Sequence, residues 1–217
     1  MTEAALRHWP LFGLRVVTPR LEIRLADDED LVALVDEIEK GVHDPATMPF
    51  TIEWTDIPSP RRERESLQWF WRQRAEWSPQ KWSFSGAVII DGCPVGVQDL
   101  SADNFSKLRT VRTGSWLGMR HQGLGIGKEM RAAILHLAFA GLGAVEANSG
   151  AWHDNMPSLK VSEALGYEVN GVDVGLRRGR SERQFRLRLG REAWELRRRD
   201  DIHIVGLDPC LELFGAT

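Results

Sequence analysis

The sequence predicts a single mixed α/β domain, with a central β-sheet flanked by helices. Apolar strand patterns alternate with amphipathic helix patterns in the middle of the chain, and hairpin patterns lie towards both ends. In addition, 42% of the 217 residues are apolar and nine are Trp, which is enough for one packed core. The helices are therefore expected to cover a sheet whose strands are partly parallel and partly antiparallel.

In the N-terminal third, residues 1–14 are expected to form an arm, and Val16 to Leu25 alternates like one half-buried strand. An acidic run then precedes a helix from Leu31 to Glu39. Residues 41–60 form a long loop rich in Pro and aromatic side chains, either a lid or a loop packed on the sheet. Pro60 to Trp77 reads as a second helix.

The middle of the chain begins with a hairpin of Trp82 to Ile90 and Val95 to Leu100 around a Gly-Cys-Pro turn. Thr110 to Leu117 is the next strand, and it leads through a glycine-rich turn into a helix that starts at Gly127. A short strand at residues 144–149 follows this helix.

The C-terminal part is predicted to contain a compact helix from Met156 to Leu165 and two strands, Tyr167 to Val174 and Ser181 to Leu189. Residues 191–217 add a short charged helix and an apolar tail. Because its apolar residues need a surface to cover, the tail is expected to dock on the core or on a partner subunit.

Composition excludes several classes of function. The net charge of −3 gives no electrostatic reason for nucleic-acid or membrane binding. No apolar stretch approaches the length of a membrane span, and no secretory leader pattern is present. Two distant Cys suit a reducing cytoplasm and make no metal site. A cytoplasmic domain is expected.

The glycine-rich turn contains three alternate glycines, Gly123, Gly125 and Gly127, directly before the helix. Such a turn lets backbone N–H groups converge at a helix N-terminus, which is a typical anion site. A nucleotide P-loop would need Gly at Gln122 and Ser or Thr at Glu129, and a dinucleotide fingerprint would need Gly or Ala at the position after Gly127. Both nucleotide loops are excluded.

The remaining pattern, Arg120-x-x-Gly123-x-Gly125, resembles the acyl-CoA pyrophosphate loop of GCN5-related N-acetyltransferases, the GNAT family. About thirty residues later, Asn155-x-x-Ser158 and the Leu-Gly-Tyr ending of its helix resemble the RimJ/RimL-type branch of that family. The Thr-Pro-Arg-Leu sequence at 18–21 is similar to that branch too.

The resemblance implies that residues 15–190 form a GNAT domain whose sheet splays open beside the loop, with acetyl-CoA or another acyl-CoA, such as succinyl-CoA, in the opening. It assigns Asn155 and the backbone of residues 117–119 to the pantetheine arm and the amides of residues 121–127 to the pyrophosphate, with Arg120 at the loop entrance. It also places Lys128 near a phosphate and Ser158 near the sulfur. The implied cofactor-binding residues are Leu117, Gly118, Met119, Arg120, His121, Gln122, Gly123, Leu124, Gly125, Ile126, Gly127, Lys128, Asn155 and Ser158.

Direct transfer from a thioester to an amine requires a base, a donor to the oxyanion and an acid for the departing thiolate. A backbone N–H of Leu117 or Met119 could supply the oxyanion donor. Many GNAT enzymes have a Tyr acid seven residues after the Asn, where this chain has Ser162, so Ser158 is the first candidate acid and Ser162 the second.

The base is left open by the sequence. Arg112 occupies the position where RimL-like sequences often carry a Glu, so that carboxylate is excluded. The remaining candidates are Glu146, Asp99, Glu53, His153 and a chain of ordered waters. Glu146 is taken as the leading one.

The predicted function is acyl-CoA-dependent N-acylation of a primary amine, on a small molecule or a protein, without a metal. Acetyl is the default acyl group by family, and succinyl stays open. A catalytically weak acyl-CoA-binding module is the alternative, because the Tyr and the Glu are missing. A homo-oligomer is also expected, on account of the apolar tail.

Overall fold

The computed structural model describes residues 3–217 and contains one nine-stranded sheet in the order β7-β8-β6-β5-β4-β3-β2-β1-β9. Neighbouring strands are antiparallel except for β5 and β6, which are parallel. The strands are β1 (Arg15–Val17), β2 (Glu22–Leu25), β3 (Lys81–Ile90), β4 (Cys93–Asp103), β5 (Thr110–Leu117), β6 (Glu146–Trp152), β7 (Glu168–Arg177), β8 (Arg180–Gly190) and β9 (His203–Val205).

The helices lie on both faces of this sheet, as a mixed α/β domain requires. They are α1 (Glu3–His8), α2 (Asp28–Glu39), α3 (Arg61–Ala75), α4 (Phe105–Leu108), α5 (Ile126–His136), α6 (Met156–Ala164), α7 (Arg191–Glu195) and α8 (Leu211–Phe214). The predicted fold class, a mixed sheet flanked by helices in a single domain, is confirmed.

Two faces of the sheet are distinguished by their helices. The α2 face is covered by α2 on β4 and by α3 on β3. The α5 face carries α5 and, beside it, α6, over the larger hydrophobic core that contains Phe84, Leu100 and Phe139. Since side chains alternate along a strand, each strand contributes residues to both faces.

The single strand predicted over Val16–Leu25 is wrong. The chain forms two antiparallel strands there, β1 and β2, with Val17 opposite Glu22. Between them the N–H of Thr18 bonds the carbonyl of Leu21 at 2.9 Å, because Pro19 cannot donate to a ladder and favours a turn. The turn places Arg20 beside the glycine loop.

The C-terminal tail docks on the core of its own chain. Strand β9 pairs with β1 as the last strand of the sheet. Phe214 is fully buried against Trp77 and Trp82, and the indole N–H of Trp82 bonds the carbonyl of Phe214 at 2.9 Å. Residues 191–217 are therefore packed into the same domain as the rest.

Candidate active site

The site is centred on an opening between β5 and β6. These parallel strands are paired only over Thr110–Arg112 and Glu146–Asn148. Beyond that point β5 continues along β4, while β6 continues along β8. The second half of each strand therefore has no neighbour on its inner side, and a gap opens towards the C-terminal end of β5, where the glycine loop begins.

The glycine loop borders the gap on the α5 face. Gly123 and Gly125 have φ values of +75° and +80°, which L side chains adopt only with strain. None of the N–H groups from Gly123 to Lys128 has an acceptor among residues 3–217. These amides and the N-terminus of α5 form a cradle of free donors suited to an anion.

Glu129 explains why this loop carries a carboxylate where a nucleotide P-loop carries a hydroxyl. Its buried side chain accepts hydrogen bonds from the Thr18 hydroxyl and from the Arg20 Nε, both at 2.6 Å. Arg20 also donates to the carbonyl of Leu124 at 3.0 Å. Burial alone would raise the pKa of Glu129, but the bonds from Thr18 and Arg20 and the charge of Arg20 outweigh it and lower that pKa. The turn between β1 and β2 thus braces the loop.

Two of the loop side chains point back into the protein. Arg120 binds the buried carboxylate of Glu37 through Nε at 3.0 Å and Nη2 at 2.6 Å. Gln122 donates to the carbonyls of Val42 and Leu117 at 2.8 and 2.9 Å. Both side chains therefore hold the loop against α2 and the segment that follows it.

Several loop amides assigned to the cofactor are bonded within the protein. The N–H groups of Gly118 and Met119 donate to Val95 and Gly41, both at 3.0 Å. Those of His121 and Gln122 donate within the loop, at 2.9 and 3.1 Å. The free amides of the cradle therefore begin at Gly123.

Helix α6 begins beside the glycine loop. Asn155 caps this helix, and its Oδ1 accepts the N–H of Ser158 at 3.3 Å. Val161 on the next turn lies 3.9 Å from a Cβ built on Gly127, so the N-termini of α5 and α6 flank the same opening. Ser162 is buried, and its hydroxyl has no partner among residues 3–217.

Arg131 of α5 lies below the gap and reaches both diverging strands. Its guanidinium donates to the hydroxyl of Ser115 on β5 at 3.0 Å and to that of Ser149 on β6 at 3.4 Å. A third N–H donates to Gln98 at 3.4 Å. Arg131 is 5% exposed and has no ion pair within 4 Å among residues 3–217, so its hydrogen-bond partners are neutral, while its charge also acts on Asp99.

Asp99 lies on the opposite, α2 face of the gap. It is in register with Gly114 of β5, two residues past the point where β5 and β6 separate, and its Oδ2 is 3.7 Å from a Cβ built on that glycine. Its Oδ1 is buried and has no hydrogen-bond partner within the described chain. Burial raises the pKa of Asp99 to about 6, with the Ser85 hydroxyl and the charge of Arg131 limiting the rise.

The aromatic loop at residues 41–60 spans the gap on this face. Trp54 packs on Trp116 of β5 with ring centroids 6.1 Å apart, and Phe50 packs on Trp54 at 5.1 Å. The indole of Trp152 on β6 donates to the carbonyl of Phe50 at 3.0 Å. The loop is therefore held to both diverging strands, as a wall of an acceptor site would be.

The other candidate bases are held elsewhere. Glu146 begins β6 opposite Thr110, at the far end of the strands from the glycine loop, and pairs with Arg188. Glu53 accepts the N–H of Arg178 in the β7–β8 turn. His153 contacts the Arg183 carbonyl at 3.3 Å and lies 3.7 Å from Glu182. Glu146, the leading candidate, is not brought to the gap, because the parallel pairing fixes its carboxylate at the closed end of the strands.

Sequence reasoning missed Arg131 and its neighbour Tyr167, whose hydroxyl lies 3.1 Å from that of Thr113. Burial raises the pKa of Tyr167, so it stays neutral. A signal for Arg131 was present, since it is the one guanidinium within the apolar helix run 130–140. A charge in such a run needs a polar partner or a ligand.

Comparison with solved structures shows the same fold. The chain matches RimJ from Mycobacterium smegmatis, solved with a CoA disulfide, at a TM-score of 0.67 and 18% identity over 88% of this chain and 94% of that one. It matches RimL, solved with coenzyme A, at a TM-score of 0.64 and 15% identity over 82% of this chain and 97% of that one. It matches yncA from Salmonella typhimurium, solved with acetyl-CoA, at a TM-score of 0.58 and 20% identity over 79% of this chain and 94% of that one.

The fold, with its gap between β5 and β6, is thus that of these solved acetyltransferase structures. A family sequence model described as the acetyltransferase (GNAT) domain matches residues 20–168, so the chain belongs to the GNAT family. The predicted family is thereby confirmed, and RimJ and RimL are among the solved structures that share the fold. In the described range 3–217, no cluster of His, Cys, Asp or Glu is suited to a metal ion, and none of the helices could span a membrane.

Proposed function

We propose that this protein transfers an acetyl group from acetyl-CoA to a primary amine by direct attack, with both substrates bound at the gap between β5 and β6. One observation carries the proposal. The gap separates a cradle of unbonded amides on the α5 face from Asp99, a half-buried carboxylate with one buried, unpartnered oxygen, on the α2 face. One side suits an acyl-CoA and the other suits an ammonium group.

The cradle would hold the donor. The N–H groups from Gly123 to Lys128 would bind the pyrophosphate, with Lys128 as an additional charge. The exposed backbone of β5 up to Leu117 and the side chain of Asn155 would bind the pantetheine arm. The acyl-CoA supplies a thioester carbonyl that an amine can attack.

Asp99 would remove the proton from the bound ammonium. An alkyl ammonium with a pKa of about 10 has no free lone pair at neutral pH. A carboxylate with a pKa of about 6 is ionised at neutral pH and still a better base than an exposed Asp. The walls of Trp54 and Trp116 limit water around the amine, which favours its neutral form.

The oxyanion and the thiolate need separate groups. The Met119 N–H bonds Gly41, which leaves the backbone of Leu117 as the proposed oxyanion donor. Ser158, at the N-terminus of α6, would give a proton to the departing thiolate. Ser162 is the second candidate, because its buried hydroxyl has no partner in the described chain.

A dicarboxylic acyl group such as succinyl is a second candidate donor, and Arg131 is the observation that favours it. A buried guanidinium is costly without a carboxylate partner, and this one reaches both walls of the gap. The distal carboxylate of a succinyl group would supply that partner through paired N–H···O bonds.

The test is calorimetry with CoA, acetyl-CoA and succinyl-CoA, together with thiol release over a panel of primary amines. Transfer from either donor, confirmed by mass spectrometry of the product, supports the proposal. Tight binding without amine-dependent release would identify the weak binding module instead. Arg131→Gln should lower kcat/KM for succinyl-CoA more than for acetyl-CoA, whereas an equal loss with both donors would make Arg131 structural only.

The acceptor panel should include small amines and peptides with free N-termini, since RimL is described as a protein N-acetyltransferase. We keep the cytoplasm as the proposed location. Homo-oligomer formation also stays a prediction, although the tail covers its own core and no longer provides the reason for it. Light scattering at working concentration checks the mass.

A further inference from the structure

The α2 face of the sheet is covered unevenly. Helices α2 and α3 pack over β3 and β4, and the strands beyond β5 carry exposed charged side chains instead. A cavity of about 290 Å³ lies there, and the polar side chains lining it include Asp103, Arg112, Asn148, Asn170 and Arg186. Its volume is just below the range of small-molecule sites, roughly 300–1,000 Å³, which suits a small ligand.

This cavity adjoins Asp99. Arg112 and Gly114 are two residues apart on β5 and therefore point to the same face, about 7 Å apart along the strand. Asp99 is the register partner of Gly114, and Ser101 is that of Arg112. Arg112, which lines the cavity, therefore lies on the strand next to Asp99, the proposed base, and is offset from it by two residues along the strand.

The lining of the cavity has guanidinium N–H groups that are not used within the protein. Arg112 contacts Asp103 through one terminal nitrogen, and Arg186 donates to Asp173 through another at 2.8 Å. The other N–H groups of both guanidinium forks have no acceptor among residues 3–217, nor has the amide of Asn170 a partner there. Each guanidinium is thus ion-paired through one nitrogen only, Arg112 with Asp103 and Arg186 with Asp173, and its remaining N–H groups leave capacity to bind a further carboxylate.

We propose that the acceptor is a small primary amine that carries a carboxylate, bound with the carboxylate between Arg112 and Arg186 and the amine at Asp99. The inference rests on the proposed acyl transfer and specifies its substrate class. Arg112 and Arg186 are then specificity residues for the acceptor and make no contact with the acyl-CoA.

Matched amines test this inference. Thiol release is measured with 4-aminobutyrate and butylamine, and with 6-aminohexanoate and hexylamine, because the members of each pair differ in the carboxylate alone. We expect kcat/KM to be at least tenfold higher for the carboxylate member of one pair. Arg112→Gln and Arg186→Gln should each raise its KM about tenfold, the effect of losing one charge-assisted hydrogen bond.

The control variant is Arg180→Gln. Arg180 is an exposed arginine at the start of β8 that does not line the cavity, so its substitution should leave kcat/KM unchanged for both members of each amine pair. Calorimetry should give the same Kd for CoA in every variant, and thermal melting checks that each one is folded. Transfer without preference for the carboxylate, a preference that survives in the double variant, or a better rate with a neutral peptide would overturn the inference and leave acyl transfer standing. Absence of transfer to any amine would overturn both.

Discussion

The two faces of the gap between β5 and β6 differ in the groups that form them: backbone amides on one face and side chains on the other. On the α5 face the proposed donor site consists mostly of backbone amides from one contiguous stretch, residues 123–128, with the backbone of Leu117 and the start of α6 added. On the α2 face the proposed acceptor site consists of side chains from β4, β5, β6, β8 and the loop 41–60. Changes on one face are therefore expected to leave binding on the other intact.

The largest effect is expected for Asp99→Asn. Loss of the proposed base should lower kcat at least a hundredfold, within the range of about 10²–10⁴ that general base catalysis contributes. The Kd for acetyl-CoA should stay within about twofold, because Asp99 lies on the other face. Steady-state kinetics and calorimetry measure the two quantities. A variant with full kcat would remove Asp99 from the mechanism.

The same variant should be more stable than the wild type at neutral pH. Burial raises the folded-state pKa of Asp99 from 3.8 to about 6, so the protonated form is favoured on folding. This contribution to stability is fully present below pH 3.8 and is lost as the pH rises through about 6. Asp99→Asn should therefore raise Tm at pH 7.5 and have little effect near pH 4, as thermal melts at both pH values will show.

The pH dependence of kcat/KM distinguishes Asp99, the proposed base, from Glu146, the base that the sequence favoured. Below pH about 6, kcat/KM should fall roughly tenfold per pH unit as Asp99 is protonated. The bend near pH 6 should be absent in Asp99→Asn and present in Glu146→Gln. A profile of Glu146→Gln without the bend would return Glu146 to the role of base.

On the α5 face, Gly125→Ala should weaken acetyl-CoA binding about tenfold. Its φ of +80° is strained for Ala, and the added Cβ would lie 3.4 Å from the Arg20 Nη2. Gly92→Ala is the matched control, because it has a φ of +77° with nothing within 4 Å, in the turn between β3 and β4. Both variants carry the same kind of backbone strain, so a loss of affinity shared by both would not support the cradle.

The smallest effect is expected for the contact of Glu129 with Thr18 and Arg20, which supports the glycine loop. Glu129→Gln should lower stability at pH 7 by about 1–3 kcal/mol, because it removes the buried charge that accepts hydrogen bonds from Thr18 and Arg20. Since the folded-state pKa of Glu129 is lowered, the stability that it provides is present above pH 4.5, the ordinary pKa of Glu, and is lost as the pH falls through the folded-state pKa. Urea titrations of both proteins at pH 7 and at pH 3.5 should show the difference shrinking in acid.

Much of the fold was predictable, because its signals are local. The β3–β4 hairpin and the α5 pattern were predicted from periodicity and turn residues. The β1–β2 hairpin was missed, because alternation alone cannot distinguish one long strand from two short ones around Pro19. Glu146 was chosen as the leading base because it lies on the strand that follows the glycine-loop helix. A strand pattern does not show which end of the strand lies at the gap, and Glu146 lies at the other end.

The sequence alone predicted the glycine turn before α5, a helix starting after Asn155 and the family, since each depends on residues that are neighbours in the chain. Only the tertiary structure decided that Asp99 meets the gap, that Arg131 bridges its walls, and that Arg112 and Arg186 share a cavity. These groups come from different strands and helices. Their proximity depends on strand register and on the separation of β5 from β6, and neither is encoded in any one segment of the chain.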